Sequence, residues 1–273
     1  MVSAVIVNYN SGENLLRCVN GIYGNVLEII IVDNASSDGS TEKVLSSYPD
    51  VKIIKNPVNE GFSKGANTGI RNSRCDYVLI MNPDVFIEKE GIDLLLKCLE
   101  EEPSLGVVAP KLISPEGKTE LSYGKDPSIL NEFIQKFKSK IGIGRNRNGN
   151  VHWVSGACFM ARKRALMEIG LFDENFFLYF EDADLCKRMR ENGWNIKYLP
   201  SACAVHVRGG SRDSERVLLE YRKSQFLYYK KHNSWISFYI LKLYLFLKFG
   251  LLFLIKRKPL FKEILTMVLK EKK

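Results

Sequence analysis

The sequence predicts an α/β protein: a mostly parallel, Rossmann-like sheet flanked by helices, with a helical C-terminal extension. Two observations carry this. Short, β-branched runs that are apolar throughout recur at 4–8, 28–33, 51–56 and 76–82, and segments of helical period separate them at 13–23, 40–47 and 61–72. Strands without polar alternation, alternating with helices, belong to a parallel sheet covered on both faces. The 273 residues, 45% of them hydrophobic, suffice for one large domain and an appendage.

The first run ends at Asn8-Tyr9-Asn10 and the second at Asp33-Asn34. Ligands of such sheets bind beyond the C-terminal strand ends, so these residues, with Asn56 and Asn82-Pro83-Asp84, mark a candidate site. No GxGxxG follows the first strand, which argues against a NAD-type fold. NYNSGEN also lacks the glycine- and base-rich loop of a nucleotidyltransferase. Asp33 can accept from a nucleobase imide or a ribose hydroxyl, while Ser36, Asp38 and Ser40 are turn and N-cap chemistry. NEGFSKGANTGI, 59–70, sets Asn59, Lys64 and Asn67 among Gly61, Gly65 and Gly69. The glycines suit ligand approach or close packing, and Lys64 suits a phosphate or plain solvent. Asp84, at a strand mouth, is a candidate ligand for Mg2+ or Mn2+; Asn-Pro-Asp is equally good turn chemistry with a helix-capping acid.

Residues 90–101 read as helix and 106–111 as strand. From 114 to 151 the pattern decays into a loop-rich insertion marked by Pro115, Gly117, Gly124 and Pro127, with one helix expected near 129–139. An insertion of this kind covers a site. Residues 153–161 return to strand character, and Ser155-Gly156-Ala157 permits close approach of ligand or backbone. A short helix, 162–169, leads to GLFDENFFLYFEDADLCKRMRENGW, 170–194. There an aromatic run, 176–180, precedes Glu181, Asp182 and Asp184. A helix follows, with Leu185 and Met189 on one face, Lys187, Arg188 and Arg190 toward solvent, and Gly193 as its stop. Acids at a helix start answer the helix dipole. The apolar wall before them also sets a carboxylate at a pocket edge, where a general base belongs. The dipole should depress its pKa and the wall should raise it. The last strands, 195–207, end at His206, ahead of Arg208-Gly209-Gly210-Ser211; as a metal ligand His206 would partner Asp84.

Six cysteines without a CxxC read as reduced thiols of a cytosolic protein, and no basic n-region or cleavage site precedes the first strand. The net charge of +9 is uneven. Residues 222–273 hold thirteen Lys and Arg against Glu263 and Glu271, a net +11, which leaves the body at −2. Residues 213–232 form a charged amphipathic helix. Residues 235–255 approach the length of a membrane span, interrupted by Lys242 and Lys248 and followed by Lys256-Arg257-Lys258. With Trp235, Tyr239 and Tyr244, this composition suits a helix lying in an anionic membrane interface, and argues against nucleic acid. Packing on the body and a dimer contact are the alternatives.

VIVNYN (5–10), VDNASSDGS (32–40), NEGFSKGANTG (59–69), LIMNPDV (79–85), VSGACFMARKRA (154–165), GLFDENFFLYFEDADLCKR (170–188) and HVRGGS (206–211) stand in order at suitable spacing. Together they resemble family 2 inverting glycosyltransferases of the GT-A fold, nearest the bacterial rhamnosyltransferase-like branch. The resemblance implies a catalytic domain over 1–212, with 114–151 as its acceptor-side insertion, and a basic, membrane-associating extension over 213–273. It implies that Asn8, Tyr9, Asp33 and Asn34 hold the nucleoside, and that Asn59, Lys64 and Asn67 lie along the nucleotide-diphospho-sugar donor. Asp84, helped by His206, would bind the divalent metal. Asp182 would be the base, with Glu181 supporting it or binding acceptor, and Asp184 structural. Asn82 departs from the family pattern: it stands where many relatives carry the first acid of DxD, and brings no charge. The implied reaction moves L-rhamnose from a dTDP donor onto a cell-surface polysaccharide or lipid-linked glycan at the inner face of the cell membrane. Alternatives are a UDP-linked hexose, galactofuranose or N-acetylhexosamine donor, or a catalytically idle sugar-nucleotide-binding subunit.

Overall fold

The computed structural model describes residues 1–131, 148–207 and 215–273. Its first half alternates strand and helix: β1 (Val2–Asn8), α1 (Glu13–Ile22), β2 (Glu28–Asp33), α2 (Ser40–Ser47), β3 (Lys52–Lys55), α3 (Gly61–Asn72) and β4 (Tyr77–Met81). These strands pair in parallel in the order β3-β2-β1-β4. β1 lies inside this group and all seven of its residues are buried, which explains its lack of polar alternation.

The second half carries β5 (Val85–Ile87), α4 (Lys89–Glu101), β6 (Leu105–Ile113), β7 (Tyr123–Gly124), β8 (Gly149–Asn150), β9 (Trp153–Val154), β10 (Cys158–Arg162), α5 (Lys163–Glu168), α6 (Glu181–Glu191) and β11 (Asn195–His206). β10 runs antiparallel between β4 and β6, and β11 then pairs in parallel with β6 and antiparallel with β5. The strands expected at 195–207 are therefore one twelve-residue strand. Its register against β6 slips between Leu199 and Cys203. Pro200 lies in that gap and has no N–H to give the ladder. The helix expected near 129–139 lies outside the described residues after 131, as does the Gly-Gly loop after His206.

The glycines of α3 serve packing. A Cβ at Gly69 would stand 2.2 Å from Val5 Cγ1, and one at Gly65 2.8 Å from Val7 Cγ1. Their absence lets α3 lie directly on β1.

The extension comprises α7 (Glu215–His232), α8 (Trp235–Lys256) and α9 (Pro259–Lys270). Phe226, Phe238, Leu245 and Ile264 from these helices form one buried cluster with Phe176, Phe180 and Ala183 of the body. Polar contacts reinforce the seam: Asp184 accepts from His232 Nε2 and from Lys231 Nζ, both at 2.7 Å. Lys187, Arg188 and Arg190 are not simply solvent-facing as the helical period suggested. Lys187 donates to His232 O, Arg188 to Asp184 and Ile169 O, and Arg190 to Asp126 and His152 O. The first of these contacts comes from α7, whose position the local sequence could not reveal.

Replacing Gly69 by alanine forces Val5 aside in a filled core, and we expect a loss of about 1–3 kcal/mol. Urea unfolding of Gly69→Ala against the parent measures it.

Candidate functional site

Loops at the C-terminal ends of β1, β2 and β4 open into a cleft of about 570 Å³. Tyr9, Asn34, Asn59, Asn82 and Asp84 all line it. Two loops at one side are cross-braced. Ser36 Oγ accepts from Asn10 N–H at 2.9 Å, Asn10 Oδ1 from Ser37 N–H at 2.8 Å, and Asp38 Oδ2 from Gly12 N–H at 2.7 Å. Asn34 spans two neighbours: its Nδ2 donates to Gly61 O at 3.0 Å and its Oδ1 accepts from Asn56 Nδ2 at 2.8 Å.

A second compartment of about 280 Å³ adjoins the first, and Phe62, Asn82, Asp84 and Leu178 line both. Glu181, Asp182, Glu120, Ser155, Gly156 and His206 line only the second. Asp84 thus stands at the junction, with the two acids of α6 on one side and the strand-end loops of the first half on the other.

Backbone geometry sets these positions. Gly61 has φ +84°, and a Cβ there would lie 2.5 Å from Phe177 O. The same oxygen accepts from Phe62 N–H at 2.8 Å. This contact fastens the 176–180 turn onto α3. Tyr179 and Phe180 then take φ of 71° and 64°, left-handed values that cost large L-residues energy and concentrate at functional sites. The double turn reverses the chain so that α6 begins with Glu181 inside the compartment.

The two acids differ. Asp182 Oδ2 accepts from Gly156 N–H at 2.9 Å and Oδ1 from Ala183 N–H at 2.7 Å. The small residues at 155–157 thus let backbone, not only ligand, come close. Burial raises the Asp182 pKa and these N–H groups oppose it; burial prevails. Glu181 lies well above the usual carboxylate range, first through burial and then through the charge of Asp182. Its Oε2 is buried without a hydrogen-bond partner among the described residues. Two neighbouring acids resist being charged together, and Glu181, with the weaker hydrogen bonding, is shifted further upward than Asp182.

His206 stands at the end of β11 opposite Val85 of β5, which brings it beside Asp84. Its Nε2 is 3.6 Å from Asp84 Oδ1, and its Nδ1 is 3.0 Å from Glu120 Oε2. Burial would lower its pKa, but the two carboxylates outweigh this and push it up to about 9. Asp84 Oδ1 and His206 Nε2 face each other across 3.6 Å, and are donor types suited to a divalent cation. Among the described residues no three His, Cys, Asp or Glu side chains gather into a fuller metal cage.

Four of the residues expected to hold the nucleotide-sugar donor line neither compartment. Asn8 is buried and donates to Asp33, Ser36 and Ser40. Asp33 is buried below the cleft, accepting from Asn8 Nδ2 at 2.8 Å and Ser36 N–H at 3.2 Å. Asn67 clamps the segment before the aromatic turn, donating to Phe172 O and Glu174 and accepting from Phe172 N–H. Lys64 is exposed and paired with Glu60. Conversely, Asn14, Arg216 and Glu220 line the cleft, and Glu120 the second compartment, without having been singled out. Arg216 and Glu220 come from α7, inside the 213–273 extension expected to associate with a membrane.

The family model for Glycosyl transferase family 2 matches residues 3–170, more than half of the chain. The chain belongs to this family. It is a glycosyltransferase enzyme with a GT-A fold. It is similar to an N-acetylglucosaminyl-diphospho-decaprenol L-rhamnosyltransferase of Mycobacterium tuberculosis, 27% identical over 264 residues and 86% of each chain. It is also similar to the rhamnosyltransferase WbbL of Escherichia coli K12, 24% identical over 225 residues, covering 76% of this chain and 83% of the relative. Among solved structures, a Pyrobaculum calidifontis mannosyltransferase in complex with GDP-Man and Mn2+ superposes with a TM-score of 0.59. That likeness is 16% in sequence and covers 84% of this chain and 63% of the other, and it shows the fold alone.

Asp184 gives this glycosyltransferase a pH signature. Burial pushes its carboxyl up, but the His232 hydrogen bond, the Arg188 charge and Lys231 hold it down at about 2, against an ordinary 3.8. The stability it contributes, about 2 kcal/mol, is complete above pH ~4 and is lost as the pH falls through 2. Urea midpoints of the parent and Asp184→Asn should therefore differ most above pH ~4 and converge on acidification.

Proposed function

We propose that this enzyme transfers L-rhamnose from a dTDP donor, with inversion, to a hydroxyl of a lipid-linked glycan precursor or cell-surface polysaccharide. The observation that carries this is the pair of compartments meeting at Asp84, with Asp182 confined to the smaller one. Inverting transfer needs that separation: the leaving group departs on one face of the sugar while the acceptor attacks from the other. The two relatives named as rhamnosyltransferases support the choice of sugar, and the decaprenol-linked name of one supports the acceptor class.

In this reading the nucleoside lies in the larger cleft along Tyr9, Asn34 and Asn59, and the diphosphate ends at Asn82 and Asp84. Asn8, Asp33 and Asn67 act from beneath, holding the loops that form the cleft. Asp84 and His206 are the residues that would hold Mg2+ or Mn2+, an oxygen and a nitrogen donor at the end of the cleft where the diphosphate would lie. The Mn2+ bound to the Pyrobaculum enzyme supports a divalent ion. Bound there, a divalent ion would supply countercharge for the departing diphosphate.

The acceptor hydroxyl enters the smaller compartment beside Asp182. Its oxygen forms the bond to the anomeric carbon as the carbon–phosphate oxygen bond breaks, and its proton passes to Asp182. A pKa raised by burial makes Asp182 a stronger base than an exposed aspartate. Glu181, whose pKa burial raises, can when protonated donate to an acceptor oxygen through its own hydroxyl.

The extension supports placement at the inner face of the cell membrane. α8 is long and apolar enough to cross a bilayer, but Phe238, Leu241, Leu245 and Phe249 along one side are buried in the protein. On the other side Ile236, Ile240, Leu243, Leu247, Leu251 and Leu254 are between 51% and 74% exposed. Lys242, an interruption in the sequence, donates to Leu269 O and Glu271 O at the end of α9, and so does not break the stripe. A helix with one face packed and one apolar face bare suits lying in the interface, with Lys256, Arg257 and Lys258 toward anionic headgroups.

Purified enzyme should be offered dTDP-rhamnose and UDP-linked glucose, galactofuranose and N-acetylglucosamine, with and without Mn2+. Turnover should be highest with dTDP-rhamnose plus metal, and preference for a UDP-sugar would replace the rhamnose assignment. Asp182→Asn should keep donor binding and lose about 100-fold or more in kcat; retained turnover would remove it as the base. Changing Leu243, Leu247, Leu251 and Leu254 to serine should weaken binding to phosphatidylglycerol vesicles about tenfold or more. Unchanged vesicle binding would defeat the membrane assignment.

A further inference from the structure

We infer that Glu120 is a positioning residue for the divalent-cation site: by accepting from His206 Nδ1–H it turns Nε2 toward Asp84 as the ligand nitrogen. This rests on the reading of Asp84 and His206 as cation ligands.

Glu120 belongs to the insertion and stands far from every motif in the chain, yet its place is fixed by backbone. After β6 the chain turns tightly, Ser114 N–H donating to Lys118 O and Gly117 N–H to Ser114 O, both at 2.9 Å. It then runs back beside β6: Thr119 bridges Ile113, and Glu120 N–H donates to Leu112 O at 2.8 Å. β6 in turn pairs with β11, Ile113 against Val205. The returning strand and the end of β11 therefore carry Glu120 and His206 to the same rim of the sheet. His206 meets β5 on its other side, opposite Val85 and next to Asp84. The imidazole is thus held between carboxylates from two different loops.

The Glu120 side chain is only 8% exposed. Burying a carboxylate is costly unless a hydrogen bond compensates, and the 3.0 Å contact from His206 Nδ1 supplies one. An imidazole that gives its Nδ1 proton to such a contact presents Nε2 as the nitrogen able to bind a metal. That atom lies 3.6 Å from Asp84 Oδ1, beyond ordinary hydrogen-bond reach, so the two donors face each other without closing a direct bond. A carboxylate behind a metal-binding histidine fixes the ring and raises its basicity. Glu120 does this here from the acceptor side of the site. The loop that borders the acceptor compartment is thereby coupled to the cation that serves the donor.

The experiment measures Mn2+ affinity of the full-length protein with saturating dTDP, from the electron paramagnetic resonance signal of free Mn2+. Asp84→Asn and His206→Ala should each weaken binding; if neither does, the cation site itself is misassigned and the inference falls with it. With that established, Glu120→Ala should weaken Mn2+ about 10–100-fold. The near-isosteric Glu120→Gln, whose carbonyl still accepts from Nδ1–H, should lose less while keeping the parent's melting temperature. In the His206→Ala background, Glu120→Ala should cause no further loss. Full Mn2+ affinity in both Glu120 variants, or a loss that adds to that of His206→Ala, would overturn the positioning role. The second result would make Glu120 a direct ligand.

Discussion

The site depends on the seating of Phe177 O against Gly61. No other residue type could leave α3 starting that close to the turn, since any Cβ would overlap the carbonyl. From this contact follow the positions of Phe62 and Leu178, which face both compartments, and the left-handed pair Tyr179-Phe180. That pair stores conformational energy at the entry to α6, held by the packing of Phe180 in the extension's core. The wall between the two compartments is therefore a backbone construction first and a side-chain construction second.

The neighbouring acids Glu181 and Asp182 illustrate how two identical functional groups acquire different proton affinities. Both are drawn out of water, and burial outweighs the helix start for each. Two backbone N–H groups then favour the ionised form of Asp182, while nothing comparable reaches Glu181 Oε2. Environments that separate two carboxyl groups in this way divide the labour of proton acceptance and hydrogen-bond donation.

Much of the fold was legible because apolar periodicity is a local property. β1, β2, α2, α3 and β4 lie within two residues of the runs that announced them. β5 was missed because three residues carry no period, and α9 because its apolar positions merged with those of α8. In the site, the acids at strand and helix ends could be seen, but their roles in the architecture could not. Asp33 and Asn67 look like ligand groups by type and position, yet both are consumed by partners that only the folded chain brings near. Glu120, Arg216 and Glu220 were invisible for the converse reason: long-range topology alone carries them to the clefts. The aromatic run at 176–180 was read as a pocket wall, and Leu178 does face both compartments, but Phe176 and Phe180 are equally the socket of the extension.

The helix α7 has a property that neither of its ends shows alone. Its first two turns supply Arg216 and Glu220 to the larger cleft, and its last turn delivers Lys231 and His232 to Asp184, two residues after Asp182. The extension is consequently no interchangeable module. A chimera that borrowed the C-terminal helices of a relative would leave buried Asp184 with Arg188 alone of its charged partners and remould the larger cleft at the same time, so changes in this region and in the body are coupled.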